Sequence, residues 1–130
     1  LFCNLKVLYQ KNLKIPNISF QQILAIANID DDGLEMSSLS KTLGIDNSTG
    51  TRLIDGLETK GLVRRARDKF DNRIVKIFLT SKGRKIYTSI EFELEKIGDK
   101  IENQNNLKSK EELAELGISL NWAIIRFLNK

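Results

Sequence analysis

The chain has 130 residues, a formal net charge of +4, one cysteine and no histidine. These counts exclude a disulfide framework, a zinc site built from cysteine and histidine, and a catalytic triad that uses histidine. No apolar run approaches the roughly 20 residues that span a bilayer, so we expect a soluble, cytoplasmic protein without a metal or other cofactor. The length fits a single globular domain.

Positive charge is concentrated in one part of the chain. Residues 60–85 contain ten basic and two acidic residues, for a formal charge of +8, whereas the rest of the chain sums to −4. Such polarisation indicates a local contact with a polyanion. Nucleic acid is the leading candidate, and an anionic membrane surface is the weaker one.

The first third of the chain predicts two helices. Leucines recur at helical spacing over residues 1–13 and predict a first helix that ends before Pro16. In "SFQQILAIAN", Ser19 is a candidate N-cap, and apolar residues of the following helix form one stripe. The three acids Asp30, Asp31 and Asp32 then interrupt the pattern. They lack the spacing of a calcium loop and are expected to form a solvated turn.

The stretch "MSSLSKTLGIDNSTGTRLIDGLETKGLV" predicts two short helices joined by a turn. Gly44 suits the left-handed residue that closes the first helix, Asp46 suits the N-cap of the second, and Gly61 closes that helix. Together they form a helix-turn-helix, whose second member presents its first turns to the DNA major groove. Gly50 and Gly56 lie inside this second helix, where each is expected to cost up to about 1 kcal/mol of helix stability.

After Gly61 the pattern changes to strands. "LVRRA" and "IVKIFL" are rich in branched and aromatic residues, and the polar "RDKFDN" between them predicts a turn, so we expect a two-stranded ribbon. Thr80 is a candidate N-cap for a long helix, whose apolar stripe comprises Ile86, Ile90, Leu94, Ile97 and Ile101. "ENQNN" predicts a polar break before a last helix over about residues 111–128.

This order of elements resembles the winged helix-turn-helix regulators of the MarR (multiple antibiotic resistance regulator) family. "RDKFDNRIVKIFLTSKG" is similar to the wing signature of that family, and "STGTRLIDGLETKGLVRR" is similar to its recognition helix. The resemblance implies a mainly α fold with a small β-hairpin wing. It also implies a homodimer, formed by helical regions at residues 1–17 and 84–130, with a DNA-binding module at residues 18–83.

The sequence predicts which side chains contact double-stranded DNA. On the recognition helix, the stripe of Gly50, Leu53, Ile54 and Leu57 is expected to face the core. It leaves Arg52 and its polar neighbours near the amino end on the exposed side. The wing is expected to place Arg73 in the minor groove, with its flanking cations on phosphates. The resemblance implies that Asp71 holds Arg73 in place. The full predicted set is Asn47, Ser48, Thr49, Thr51, Arg52, Arg64, Arg65, Arg67, Lys69, Asp71 and Arg73.

Less specific interpretations of these residues stay open. Arg52 is also compatible with a solvated helix surface, and Ser or Thr at a helix start also serves as a cap. The charges of the hairpin also discourage pairing between exposed strand edges. A winged-helix module that binds an acidic protein surface is the alternative to a transcriptional repressor. An enzyme is not expected, since no assembly of nucleophile, base and acid is present.

The family resemblance implies a response to small aromatic ligands or to oxidants. Tyr9, Phe20 and Ile23 are candidates for bordering a ligand cleft, although core packing also explains them. Cys3 lies on the apolar first helix, where packing in the core or in a subunit interface is the expected role.

Overall fold

The computed structural model describes residues 1–104 and 109–129. It contains six helices and three strands in these residues: α1 (Phe2–Asn12), α2 (Phe20–Ala27), β1 (Leu34–Glu35), α3 (Met36–Leu43), α4 (Asn47–Thr59), β2 (Val63–Arg67), β3 (Val75–Leu79), α5 (Ser81–Gln104) and α6 (Lys110–Leu128). The chain forms two compact units, Leu1–Glu93 and Leu94–Lys130, each described by itself. No described helix is long and apolar enough to cross a membrane.

Local capping interactions define the helix boundaries of the first unit. Ser19 and Gln22 form a capping box at the start of α2, and the Asp46 carboxylate accepts a hydrogen bond from the amide of Thr49 at the start of α4. Gly44 (φ 64°) closes α3, and Gly61 (φ 70°) follows the last residues of α4 in the same left-handed region. The predicted helix-turn-helix is therefore confirmed as α3, a three-residue turn and α4.

The sheet has three strands, one more than the two-stranded ribbon that the sequence predicts. β2 and β3 form the predicted antiparallel hairpin, with Val63 opposite Leu79 and Arg67 opposite Val75. β1 pairs with the other edge of β3 through only two residues, and the strand order is β1-β3-β2. Two residues are too few to show strand periodicity in a sequence, and only their pairing with β3 makes them a strand.

The core of the first unit lies between the helix-turn-helix and the sheet. Ile54 and Leu57 of α4 are fully buried, as the predicted stripe requires, and they share the core with Ile23, Ile26, Leu39, Leu62 and Ile77. Cys3, by contrast, is exposed. The prediction that Cys3 packs in the core is therefore wrong for this chain, and its packing in a subunit interface stays a prediction.

Two glycines allow helices to approach neighbouring elements closely. A Cβ atom on Gly50 would lie 2.3 Å from the Ser40 Oγ atom, so α3 and α4 meet where α4 has no side chain. A Cβ atom on Gly83 would lie 1.9 Å from the carbonyl oxygen of Leu62, where α5 starts against the base of the hairpin. The start of α5 is held by the predicted cap, since the Thr80 hydroxyl accepts a hydrogen bond from the Gly83 amide (3.0 Å).

The second unit contains the end of α5 and all of α6. Ile97 of α5 is buried, whereas Leu94 and Ile101 of the predicted stripe are partly exposed. α6 begins at Lys110, one residue before the predicted start of the last helix, and Ser109 and Glu112 form a capping box there. The predicted break "ENQNN" lies partly outside the described residues, and its first three residues are the end of α5.

Candidate nucleic-acid interface

The leading turn of α4, residues 47–52, faces solvent. Asn47, Ser48, Thr51 and Arg52 are exposed and Thr49 is half-buried, while Gly50 on the opposite side is buried. This separation of polar and buried sides follows from the helical spacing of the core residues. The five predicted contact residues of the recognition helix therefore lie together at one exposed helix end.

The hydroxyl groups of this turn also hold the turn itself. Ser48 and Thr49 donate hydrogen bonds to the Asp46 carboxylate at 2.5 and 2.8 Å, and Thr51 donates to the carbonyl of Asn47. The Ser48 hydroxyl and the Thr49 amide hold the pKa of Asp46 well below its usual range. In each pair the hydroxyl proton is used, so each hydroxyl oxygen presents only an acceptor to a ligand. No described residue pairs with the Arg52 guanidinium.

The tip of the hairpin is an ordered turn, which we call the wing turn (residues 68–74); the wing is residues 63–79. The Asp68 carboxylate accepts hydrogen bonds from the amides of Phe70 (2.8 Å) and Asp71 (3.1 Å) and pairs with Lys76 (3.2 Å). The two amides and the Lys76 ammonium lower the pKa of Asp68. The backbone closes through the Asp68 amide, which donates to the carbonyl of Ile74 (2.9 Å). Hydrogen bonds to backbone groups, rather than packing of apolar side chains, thus hold the shape of this turn.

Arg73 projects from the wing turn with its side chain 89% exposed. Its Nε and Nη2 atoms donate to the two oxygens of Asp71 at 3.0 and 2.9 Å, a bidentate pair within the turn. The Arg73 guanidinium lowers the pKa of Asp71, and the carboxylate raises the pKa of Arg73. Asp71 therefore restricts the orientation of a guanidinium that is open to solvent.

Three further cations of the wing are exposed. The Arg64 guanidinium lies 4.6 Å from the centre of the Phe78 ring, and Arg67 donates to the carbonyl of Asn72 (2.6 Å). Lys69 is exposed in the wing turn. These three of the predicted flanking cations therefore present exposed positive charge on an ordered hairpin.

Other cations of the basic segment are bound by the protein itself. Arg65 bridges two acids of α4, Asp55 (2.5 Å) and Glu58 (3.0 Å). Lys60 donates to the carbonyl of Asn17 (2.5 Å) and to Gln22 Oε1 (2.8 Å). The +8 charge of residues 60–85 thus overstates the charge that faces outward. The structure does not bring Arg65 to the open side of the wing with the other predicted residues.

Phe70 is the residue that the sequence interpretation missed. Its side chain is 98% exposed at the tip of the wing turn, between Lys69 and Asp71. An aromatic residue in the middle of "RDKFDNR" was the available signal, because a turn that only needs solubility has no use for an apolar side chain.

A cleft in the first unit contains two of the three residues predicted to border a ligand site. Its volume is about 430 Å³, and its walls include Phe20 and Ile23 but not Tyr9. The acidic turn contains no cluster of metal ligands in the described part of the chain, and Asp31 pairs with Arg84.

The fold and this surface define a winged helix-turn-helix protein, since α3, α4 and the hairpin follow in that order. A profile of the MarR family matches residues 16–75. The Streptococcus pneumoniae protein FabT, whose crystal structure was determined in complex with DNA, is 30% identical, with a TM-score of 0.72 over 98% of this chain and 90% of that chain. A MarR transcriptional regulator from Methanosarcina mazei is 25% identical, with a TM-score of 0.75 over 98% of this chain and 91% of that chain. The chain belongs to the MarR family.

Curated relatives match over a shorter region. The HTH-type transcriptional regulator TtmR of Methylorubrum extorquens is 39% identical over 77 residues, which are 58% of this chain and 40% of that protein. The chain spans about half the length of these curated relatives: 40% of TtmR and 50% of the regulator SarZ of Staphylococcus haemolyticus.

Proposed function

We propose that this protein is a transcriptional regulator that binds double-stranded DNA through α4 and the wing. The observation that carries the proposal is the exposure, on one unit, of both the leading turn of α4 and the Asp71–Arg73 pair of the wing turn. A recognition helix and a wing of this kind read adjacent grooves. The relative FabT was crystallised with DNA, which supports the same partner for this chain.

In this arrangement the base contacts come from α4. Arg52, exposed and without an ion-pair partner in the described residues, makes a bidentate contact with guanine, worth about 1–3 kcal/mol of discrimination. Asn47 donates or accepts at base edges and phosphates, and the hydroxyl oxygens of Ser48, Thr49 and Thr51 accept from amino groups at base edges. Because these hydroxyls already donate within the turn, they favour donors on the DNA over acceptors.

The wing supplies affinity more than sequence selection. Arg73 enters the minor groove, where narrow A·T tracts concentrate negative potential, and Asp71 orients it. Arg64, Arg67 and Lys69 contact phosphates. Arg65 was expected to join them, but its two ion pairs with α4 favour a role in holding the wing against the recognition helix.

The active form in this proposal is a homodimer on a pseudo-palindromic operator. Exposed apolar side chains support it: Leu5 and Val7 on α1, and Leu116, Ile118, Leu120, Trp122, Ile124 and Phe127 on α6. Covering such side chains stabilises an assembly by about 25 cal/mol per Å². Residues 1–17 and 84–130 form the dimerisation region of the proposal, and residues 18–83 form its DNA-binding module.

Repression, rather than activation, rests on the family resemblance alone. A response to a small aromatic effector is supported by the cleft that Phe20 and Ile23 line. Its open, mostly apolar wall suits a planar apolar ligand.

The test starts from a randomised pool of duplexes, from which the protein selects its binding sites. We expect affinity for the selected duplex, measured by fluorescence anisotropy, to fall log-linearly with salt. Arg73→Ala should weaken binding about 10-fold and reduce the salt slope by about one, with an unchanged melting temperature because the side chain is exposed. Lys11→Ala, which removes an exposed charge on α1, is the matched control and should change neither quantity by a comparable amount.

Two results would overturn the proposal. One is a selection that enriches no sequence, together with binding that does not respond to salt. This result would favour the alternative function, a winged-helix module that binds an acidic protein surface. The other is an Arg73→Ala variant that binds as tightly as the parent, which would remove the wing from the contact.

A further inference from the structure

The tip of the wing carries an apolar side chain that packs against nothing in its own chain. Phe70 is 98% exposed, more than any other large apolar side chain whose exposure the structure describes; Leu1 follows at 84% and Phe127 at 75%. Single exposed apolar residues are common, so exposure alone assigns no role; the second observation is that this ring stands at the tip of an ordered turn beside exposed cations. A ring held in this position gains free energy only when a partner covers it.

The backbone beneath the ring is ordered before any partner arrives. The Asp68 carboxylate accepts a hydrogen bond from the amide of Phe70 itself (2.8 Å). The same carboxylate forms an ion pair with Lys76, and the Asp68 side chain is only 16% exposed. A ligand contact at Phe70 therefore orders one side chain rather than a loop, and preorganisation of this kind improves affinity.

The neighbours of the ring identify the chemistry of its partner. Lys69 is adjacent to it and exposed, and the Arg73 guanidinium is exposed to solvent although it pairs with Asp71. The Asp68 carboxylate is occupied by amides and Lys76. A surface that combines cations with one aromatic ring suits a polyanion that also offers apolar surface. Duplex DNA does so in the minor groove, through deoxyribose and the edges of base pairs.

A lipid surface offers the same combination but fits less well. One buried phenylalanine contributes about 1.5–3 kcal/mol, and the other residues of the wing turn near it are polar, namely Lys69, Asp71, Asn72 and Arg73. Stable membrane attachment requires more apolar area than this turn presents.

We infer that Phe70 is a minor-groove wedge, which inserts beside Arg73 and selects sites that contain an easily unstacked pyrimidine–purine step. The inference rests on the proposed function and adds a determinant of specificity to it. Apolar side chains that enter the minor groove partly unstack a base step, and pyrimidine–purine steps resist this least. Arg73 supplies charge and Phe70 supplies shape, so the two residues should have separable effects.

The experiment compares Phe70→Ala, Phe70→Leu and the adjacent control Lys69→Ala on duplexes selected by the parent protein. Phe70→Ala should weaken binding about 10-fold without changing the salt slope, because no phosphate contact is lost. Phe70→Leu should retain most of the affinity, since leucine also acts as a wedge. Lys69→Ala should instead reduce the salt slope. All three should melt at the temperature of the parent, because these side chains are exposed.

A spectroscopic measurement locates the wedge. Duplexes carry 2-aminopurine in turn at each adenine of the selected site, and its emission rises when its neighbours unstack. We expect an increase at one pyrimidine–purine step with the parent protein and with Phe70→Leu, and none with saturating Phe70→Ala. Replacing that step by a stiff A·A step should weaken the parent and leave Phe70→Ala unaffected.

The outcomes separate the inference from the function on which it rests. If the parent selects no duplex, the proposed function fails. If the parent binds with steep salt dependence but Phe70→Ala matches it in affinity and step preference, only the wedge is overturned. A change in sedimentation of the free Phe70→Ala protein, or loss of binding to anionic vesicles, would assign Phe70 to a contact between copies or to a membrane and would also overturn it.

Discussion

At the residue scale, the acids of the wing turn serve the turn itself. Asp68 holds backbone amides and Lys76, and Asp71 holds the guanidinium of Arg73. From their charge alone, both acids would be expected to lower the affinity for DNA. The hydrogen bonds indicate the opposite for Asp71, because a restricted guanidinium loses less entropy when it binds.

Replacing Asp71 by Asn separates these two effects. The variant keeps one oxygen acceptor and loses the charge and the second oxygen, so Arg73 becomes less restricted. We expect DNA affinity to fall about 2- to 10-fold, from the roughly 0.5–1.5 kcal/mol needed to immobilise a long side chain. Fluorescence anisotropy at fixed salt measures it. Asp30→Asn, which removes an exposed acid elsewhere, should not lower affinity; tighter binding by Asp71→Asn would show that charge outweighs orientation.

Arg65 shows how position decides the role of a cation. It lies on β2 one residue from Arg64, and alternation places their side chains on opposite faces of the hairpin. Arg64 packs on the ring of Phe78, whereas Arg65 reaches the acids of α4. These pairs are partly exposed and contribute modestly to stability, but they connect the wing to the recognition helix.

At the element scale, the recognition helix is defined by its cap and by its close approach to α3. Asp46 binds the amide of Thr49 and the hydroxyls of Ser48 and Thr49, which makes the exposed first turn well ordered. Gly50 was expected to face the core and to soften this helix. In the structure it is buried against Ser40 and is the position at which α3 and α4 come together.

Gly50→Ala tests this close approach. The added methyl group would lie 2.3 Å from Ser40 Oγ, so we expect a net loss of about 1–2 kcal/mol in the free energy of unfolding by urea. The expected gain from higher helix propensity, up to about 1 kcal/mol, is smaller than the cost of the clash.

The double variant Ser40→Ala/Gly50→Ala is the control for this prediction. Without the hydroxyl, the nearest Ser40 atom to the new methyl group is Cβ at 3.5 Å, an ordinary contact, so stability should return above that of Gly50→Ala. Ser40→Ala alone completes the cycle. If the Gly50→Ala single variant were more stable than the parent, the Ser40 side chain would have changed rotamer to avoid the clash, and the prediction would be wrong.

At the scale of the whole molecule, exposed apolar area is concentrated on α6. Leu116, Ile118, Leu120, Trp122 and Phe127 are each more than half exposed in the single chain. A helix with this much uncovered apolar surface requires a partner, and a second copy of the chain is the partner in our proposal.

Trp122 is a built-in probe of that assembly, because it is the single tryptophan of the chain. Its side chain is 55% exposed without a partner, so we expect its emission to shift to the red on dilution as dimers dissociate. Sedimentation velocity over the same concentrations should show the matching change in mass. Phe127→Glu should favour the monomer and Asn121→Glu, at an exposed polar position of α6, should not; a monomer at micromolar concentration with an unshifted emission would contradict the dimer.

Much of this fold could be predicted from the sequence because helix caps and turns depend on interactions between residues that are close in the chain. Helix caps at Asp46, Gly44 and Gly61 act over a few residues and were predicted correctly. The hairpin was predicted for the same reason. β1 was missed because its two residues have no strand pattern of their own, and it exists only through pairing with residues more than forty positions away.

The candidate interface divides in the same way. The sequence by itself determined the cationic hairpin, the exposed end of α4 and the family, since residue type and periodicity carry that information over short distances. Only the tertiary structure decided which cations face outward: Arg65 turns to acids on another element, Arg73 stays open beside Asp71, and Phe70 stands uncovered at the tip. The physical reason is that these roles depend on the distances between atoms of different elements, and packing of the whole unit sets those distances.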